Sequence, residues 1–210
     1  MTIFLEMLQR ERVVVVIRGA QKETISQTLQ ALYEGGLRIF ELTVEGANAL
    51  SLFSQVREQL PPGVLLGVGT VLDATTAALA ISTGAQFVVS PILHREVCSV
   101  ARSHGVPCIA GGMTPTEIFT AYQYGCVAVK VFPASALGPS FTRELHGPLG
   151  FIPLYPTGGI TLDNAPALLD AGAIAVGVGS ALVKKDWLRH GDWEALRREA
   201  SAWAKLHRPD

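Results

Sequence analysis

Short apolar runs rich in β-branched residues recur along this chain at nearly even intervals, each followed by a segment of helical spacing. No other feature restricts the fold as strongly. The runs fall at residues 13–17, 37–44, 64–71, 86–90, 107–110, 126–133, 151–155 and 173–178. Between them, apolar residues at Ile25, Leu29 and Leu32 set a helical period that Gly35-Gly36 stops, and Pro61-Pro62-Gly63 ends the next helix near Leu60. Asp73 is a candidate N-cap for the helix reaching Ser82, and Thr114-Pro-Thr-Glu117 reads as an N-cap, a first-turn proline and a capping-box acid. Further helices are expected up to about His104, near Phe141 to His146 and from Asn164 to Ala171. With a helix at about residues 2–10 and another at about 192–206, the pattern predicts an α/β fold. The economical form is a (β/α)8 TIM barrel with an extra N-terminal helix. A doubly wound open sheet is the competitor, but no G-x-G-x-x-G loop follows the first strand.

At 210 residues, 49% of them hydrophobic, with 21 glycines, residues 1–210 are expected to form a single domain at the small end of the barrel range. A net charge of -1 provides no basic face for nucleic acid and no polybasic membrane anchor. The run at residues 13–17 is too short for a signal segment or a membrane span. Cys98, Cys108 and Cys126 have no C-x-x-C spacing and are odd in number, which favours a reduced, cytoplasmic protein over a disulfide scaffold or zinc site. His94, His104 and His146 lack ligand spacing, so no metal is expected.

The sixth run, residues 126–133, carries Lys130 in its middle. Period-two alternation places Val127, Val129 and Val131 on one face and Ala128, Lys130 and Phe132 on the other, so neither neighbour along the strand offers the amine water. Desolvation disfavours a charged amine and exposes a nucleophilic lone pair, the chemistry of Schiff-base catalysis. The alternative is a lysine whose head reaches solvent past the strand end or pairs structurally with a carboxylate. Active sites of such barrels lie at the carboxyl ends of the strands, where Arg18, Thr70, Ser90, Thr157 and Ser180 fall. Glu41 shares its strand face with Ile39 and Thr43 and is expected to project toward the same interior as Lys130. It is a candidate acid/base for the proton transfers that carbinolamine chemistry requires, with a structural counter-ion as the alternative. Tyr155-Pro-Thr-Gly-Gly-Ile160 and Gly177-Val-Gly-Ser180, at the last two strands, are placed to cradle phosphate through backbone N–H groups.

Phe40-Glu-Leu-Thr43, Leu66-Gly-Val-Gly-Thr-Val71, Val89-Ser-Pro91, Val129-Lys-Val-Phe-Pro133, Tyr155-Pro-Thr-Gly-Gly-Ile160 and Gly179-Ser180 together resemble the 2-keto-3-deoxy-6-phosphogluconate aldolases, which also act on 4-hydroxy-2-oxoglutarate. The likeness runs through nearly the whole chain in order. It implies a cofactor-free class I aldolase, usually a homotrimer, that splits a phosphorylated keto acid into pyruvate and glyceraldehyde 3-phosphate. Lys130 then matches the Schiff-base lysine and Glu41 the acid/base. Thr70 matches the contact to the pyruvate carboxylate, Pro91 and Phe132 line the site with Thr157 at its edge, and Gly158, Gly159, Gly179 and Ser180 match the phosphate cradle. Two positions depart from the resemblance. Glu45 stands where the family's commonest form has a carboxylate-binding arginine, which makes Arg18 the expected substitute, with pairing of Arg18 to Glu41 or Glu45 and no ligand contact as the alternative. Residues 132–139 lack the usual acid after Pro-Ala and look more like the 6-phosphogalactonate branch. Two other classes are compatible with the residues: a phosphate-binding barrel isomerase, synthase or decarboxylase without a covalent intermediate, and a non-catalytic sugar-phosphate sensor.

Overall fold

A computed structural model of the chain describes residues 2–45 and 49–207. Eight parallel strands form one sheet in the order β7-β6-β5-β4-β3-β2-β1-β8, with β1 Val13–Ile17, β2 Ile39–Thr43, β3 Leu65–Gly69, β4 Val88–Val89, β5 Cys108–Gly112, β6 Ala128–Val131, β7 Leu154–Pro156 and β8 Val176–Val178. A parallel bridge from Thr157 to Gly177 and the bond from Ile174 N to Leu154 O, 2.9 Å, join β7 to β8 and close the ring. The result is a (β/α)8 TIM barrel. The β7–β8 seam is thin for a reason visible in the sequence. Thr157 N donates to Val131 O on the β6 side, so by alternation Pro156 faces β8, where it has no N–H to give.

The expected helices are present, with one more at residues 185–190 that the sequence pattern does not announce. They are α1 Thr2–Glu11, α2 Ile25–Glu34, α3 Ala49–Arg57, α4 Ala74–Ser82, α5 Arg95–Ser103, α6 Pro115–Gln123, α7 Gly138–Leu149, α8 Ala165–Asp170, α9 Lys185–His190 and α10 Trp193–Ala204. Residues 46–48, where the helix expected after the second strand begins, lie outside the described residues. Asp73 caps α4 by accepting from Thr76 N at 2.7 Å. At the head of α6, Thr114 and Glu117 form the reciprocal capping box. Strand seven begins later than the apolar pattern suggests. Phe151 is exposed and packs edge-on to Tyr122 at 5.3 Å, and the strand starts only at Leu154, beyond Pro153.

Two apolar layers follow from strand alternation. Val13, Val15, Phe40, Leu42, Val129 and Val131 point outward and pack under the helices. Val14, Ile39, Phe87, Val89, Ile109 and Ala128 point into the barrel. The extra helix α1 plugs the amino-terminal end of that interior with Phe4 and Leu8, the Phe4 and Phe87 rings standing 5.0 Å apart. Each such buried side chain stabilises the fold by about 1.5–3 kcal/mol. The plug leaves the opposite end of the barrel as the open one.

Candidate active site

Inward-facing positions on β2 and β6 bring Glu41 and Lys130 together. Both are fully buried, and Lys130 Nζ lies 3.4 Å from Glu41 Oε1. The alternation expected for each strand holds: Ile39 faces inward with Glu41, and Phe40 and Leu42 face the helices. The lysine reaches no solvent past the strand end. Its Nζ sits 5.6 Å from the Phe132 ring centroid and 6.0 Å from that of Tyr155, so aromatic faces complete its surroundings.

Tyr155 on β7 is the member of this group that sequence reasoning passed over. Its hydroxyl donates to Glu41 Oε2 at 3.2 Å, so the two carboxylate oxygens are divided between an amine and a phenol. Burial, and the carboxylate beside it, hold the Tyr155 phenol well above its ordinary value. It therefore remains a donor throughout the neutral range. Thr157, two residues on and facing the same way, is buried, and its Oγ1 has no hydrogen-bond partner among the described residues. A buried, unpaired hydroxyl close to the Tyr155 phenol is a group awaiting a partner.

Glycines on neighbouring strands make the room. A Cβ at Gly69 would collide with Glu41 Oε1, and one at Gly177 with Thr157 Oγ1 and the Tyr155 hydroxyl. At Gly111, in register with Lys130, a Cβ would strike the Pro91 carbonyl, which places Pro91 on the strand edge next to the lysine. Thr70, just past β3, has φ 62, a left-handed conformation that a β-branched residue rarely adopts and that stores about 1–3 kcal/mol of strain.

The remaining candidates lie at the mouth. Arg18, Glu45, Gly179 and Ser180 line one cavity of about 710 Å³ at the carboxyl ends of β1 and β8. Arg18 Nη1 is 2.7 Å from Glu45 Oε1, both side chains being roughly half exposed. The arginine is thus held by Glu45 across the mouth. Gly158 and Gly159 have φ of 96 and 71, so the turn itself requires glycine at both. A Cβ at Gly179 would meet nothing nearer than Val16 O at 3.6 Å, so the chain's own packing leaves the surface over it clear. Ser90 is buried, and Ile92 N donates to its hydroxyl at 3.4 Å.

A paired lysine and carboxylate at the open end of a TIM barrel can be set beside known proteins. The family of KDPG and KHG aldolases matches residues 5–199. The chain belongs to that family. Aldolases are lyases, and the similarity extends over whole relatives. The 2-dehydro-3-deoxy-phosphogluconate aldolase of Treponema pallidum is 36% identical over 196 residues, 93% of this chain and 92% of the relative. The 2-dehydro-3-deoxy-6-phosphogalactonate aldolase of Escherichia coli is 29% identical over 197 residues, 93% and 94% of the two chains. Among solved structures, the KDPG aldolase of Legionella pneumophila, with pyruvate captured as a covalent carbinolamine, superposes with a TM-score of 0.88 at 25% identity, covering 94% of this chain and 96% of that one.

Proposed function

We propose that this aldolase works through a Schiff base on Lys130, cleaving 2-keto-3-deoxy-6-phosphogluconate to pyruvate and glyceraldehyde 3-phosphate, and that it also splits 4-hydroxy-2-oxoglutarate to pyruvate and glyoxylate. The observation that carries the proposal is the buried contact between Lys130 Nζ and Glu41 Oε1 at 3.4 Å. A charged amine is no nucleophile, and an adjacent carboxylate can take its proton without exposing either group to water.

The steps follow from that pair. The Lys130 amine, its proton passed to Glu41, adds to the C2 carbonyl, and the proton returns to the new alkoxide to give a carbinolamine. Glu41 then carries a proton from the nitrogen to that hydroxyl, which leaves as water and gives an iminium. Glu41, again a carboxylate, takes the C4 hydroxyl proton, and the C3–C4 electrons flow into the iminium to form an enamine and release the aldehyde. Protonation at C3 and hydrolysis then free pyruvate and the amine. Tyr155 keeps one carboxylate oxygen fixed while the other faces the amine, so Glu41 is oriented before substrate arrives. Thr157 is free to meet a substrate oxygen.

Substrate binding is assigned on the same footing. Thr70 with Pro91 and Phe132 surrounds the pyruvate moiety, and Arg18 turns from Glu45 to the substrate carboxylate. Gly158, Gly159, Gly179 and Ser180 receive the phosphate, which the clear surface over Gly179 and the positive φ values of the Gly158-Gly159 turn favour. Cleavage of the 6-phosphogalactonate epimer is the second reading, favoured by Glu45, which occupies Arg18 at the mouth and departs from the arginine of the commoner branch. Isomerase and sensor readings lose ground because neither needs an acid/base against a buried amine.

No helix of the described residues is long and apolar enough to cross a membrane. Three free cysteines suit a cytoplasmic setting. Residues 1–210 are taken as one domain, and a homotrimer is the expected assembly. Exposed Leu72, Leu79, Ile92, Met113 and Phe119, on or beside α4, α5 and α6, offer apolar surface for it. The test is pyruvate release measured on the gluconate epimer, the galactonate epimer and 4-hydroxy-2-oxoglutarate. The gluconate epimer is expected to have the largest kcat/KM; a larger value for the galactonate epimer moves the assignment to that branch, and no release from any removes it.

A further inference from the structure

Three thiols distant in sequence meet in the barrel wall. Cys98 on α5, Cys108 at the start of β5 and Cys126 just ahead of β6 are all buried, and their sulfurs lie within 4.8 Å of one another. Cys98 Sγ and Cys126 Sγ are 3.4 Å apart. They are all the cysteines the chain has. The cluster is separate from the catalytic pair, since the thiols belong to the helix-facing layer with Val97, Ala101 and Ala121 while Glu41 faces into the barrel.

Spacing and charge together select an occupant. A three-coordinate centre with bonds of about 2.3 Å to sulfur holds its sulfurs about 3.4–4.0 Å apart, from pyramidal to planar. Soft monovalent or divalent ions bound by three thiolates form complexes with net negative charge, which an apolar layer disfavours. Trivalent arsenic does not. Arsenous acid exchanges three As–O bonds for three As–S bonds, each thiol proton leaving with a hydroxide as water. No electron is transferred, and the product is uncharged.

We propose that Cys98, Cys108 and Cys126 form a three-thiol site for trivalent arsenic, supplied as neutral arsenous acid that enters through local opening of the α5 layer. Occupation ties α5 to β5 and to the segment leading into β6, so it stabilises the folded chain.

The test is titration of the full chain with arsenite, read by arsenic retained per chain, by thiols still reactive after denaturation, and by the thermal midpoint. Expected are one arsenic per chain, loss of all three thiols, and a midpoint that rises with arsenite concentration. Cys126→Ala leaves two thiols and is expected to weaken retention roughly 100-fold, the loss of one arm of a chelate. Should that variant not fold, Cys98→Ser provides the same comparison. Absence of retained arsenic overturns the proposal. So does a midpoint that falls as arsenite is added, since that is the signature of thiols captured only in the unfolded chain.

Discussion

At the closed end of the barrel, Phe4 and Leu8 of α1 meet Phe87, Ile39 and Ile109, and every group is apolar and in contact. At the open end the barrel interior carries Glu41, Lys130, Tyr155 and Thr157, all buried, with an unpaired hydroxyl among them. Glycines make room at both ends, for the Phe87 ring at Gly67 and for polar groups at the mouth. Near the plug the inward positions are Val14, Ile39 and Phe87, while the catalytic layer includes Gly69, Gly111 and Gly177, whose missing side chains make room for Glu41, Pro91, Tyr155 and Thr157. One end is packed for stability, and the other leaves space and polar groups for a ligand. Substitutions should therefore separate: the closed end moves stability, the open end moves turnover.

The largest effect is expected at Glu41. Glu41→Gln keeps the shape but cannot take a proton, and kcat for pyruvate release should fall about 10²–10⁴-fold with little change in the urea midpoint. A large fall in stability instead would show Glu41 to be a structural counter-ion. Phe87→Ala should do the reverse, lowering unfolding stability by about 3–5 kcal/mol while kcat per folded molecule is retained. Loss of kcat there would mean that the two ends are coupled.

Tyr155→Phe sits on the boundary and sharpens the comparison. Losing one hydrogen bond to a charged group corresponds to roughly tenfold in kcat. Because the folded phenol is held above its ordinary value, its share of stability is complete below that value, about 10, and is lost as pH rises past it. The variant should therefore show a shallower loss of stability in alkaline urea titrations than the parent. The smallest effect belongs to the surface. Glu117 is held below the ordinary carboxylate value by N–H donation from Met113, with Thr114 adding to it. Its contribution is present above that ordinary value and disappears as pH falls through the folded one. Glu117→Gln should flatten this acid dependence and lower stability by no more than about 1 kcal/mol, with turnover unchanged.

How much of this was legible in the sequence depended on whether the signal was local. Val13–Ile17 is buried on both faces, so a continuous apolar run announces it. Glu41 and Lys130 were legible because strand parity fixes which face each occupies, and both break apolar runs. Tyr155 was not. A tyrosine between Leu154 and Pro156 reads as core, and its carboxylate partner lies 114 residues away. The thiol cluster is hidden for the same reason, since spacing along the chain says nothing about three elements that meet side by side. The short α9, which buries no residue, has no periodic apolar stripe to reveal it. Arg18 was identified at the right strand end, and its pairing with Glu45 was one of the two partners open to it there, since two charges of opposite sign at neighbouring strand ends are within reach of each other.

The central claim is that the amine of Lys130 bonds covalently to a keto acid. Borohydride reduction in the presence of pyruvate, followed by peptide mass mapping, tests it directly. The expected result is a single reduced pyruvyl adduct on the peptide containing Lys130, abolished in Lys130→Ala. No adduct, or an adduct on another lysine, contradicts it.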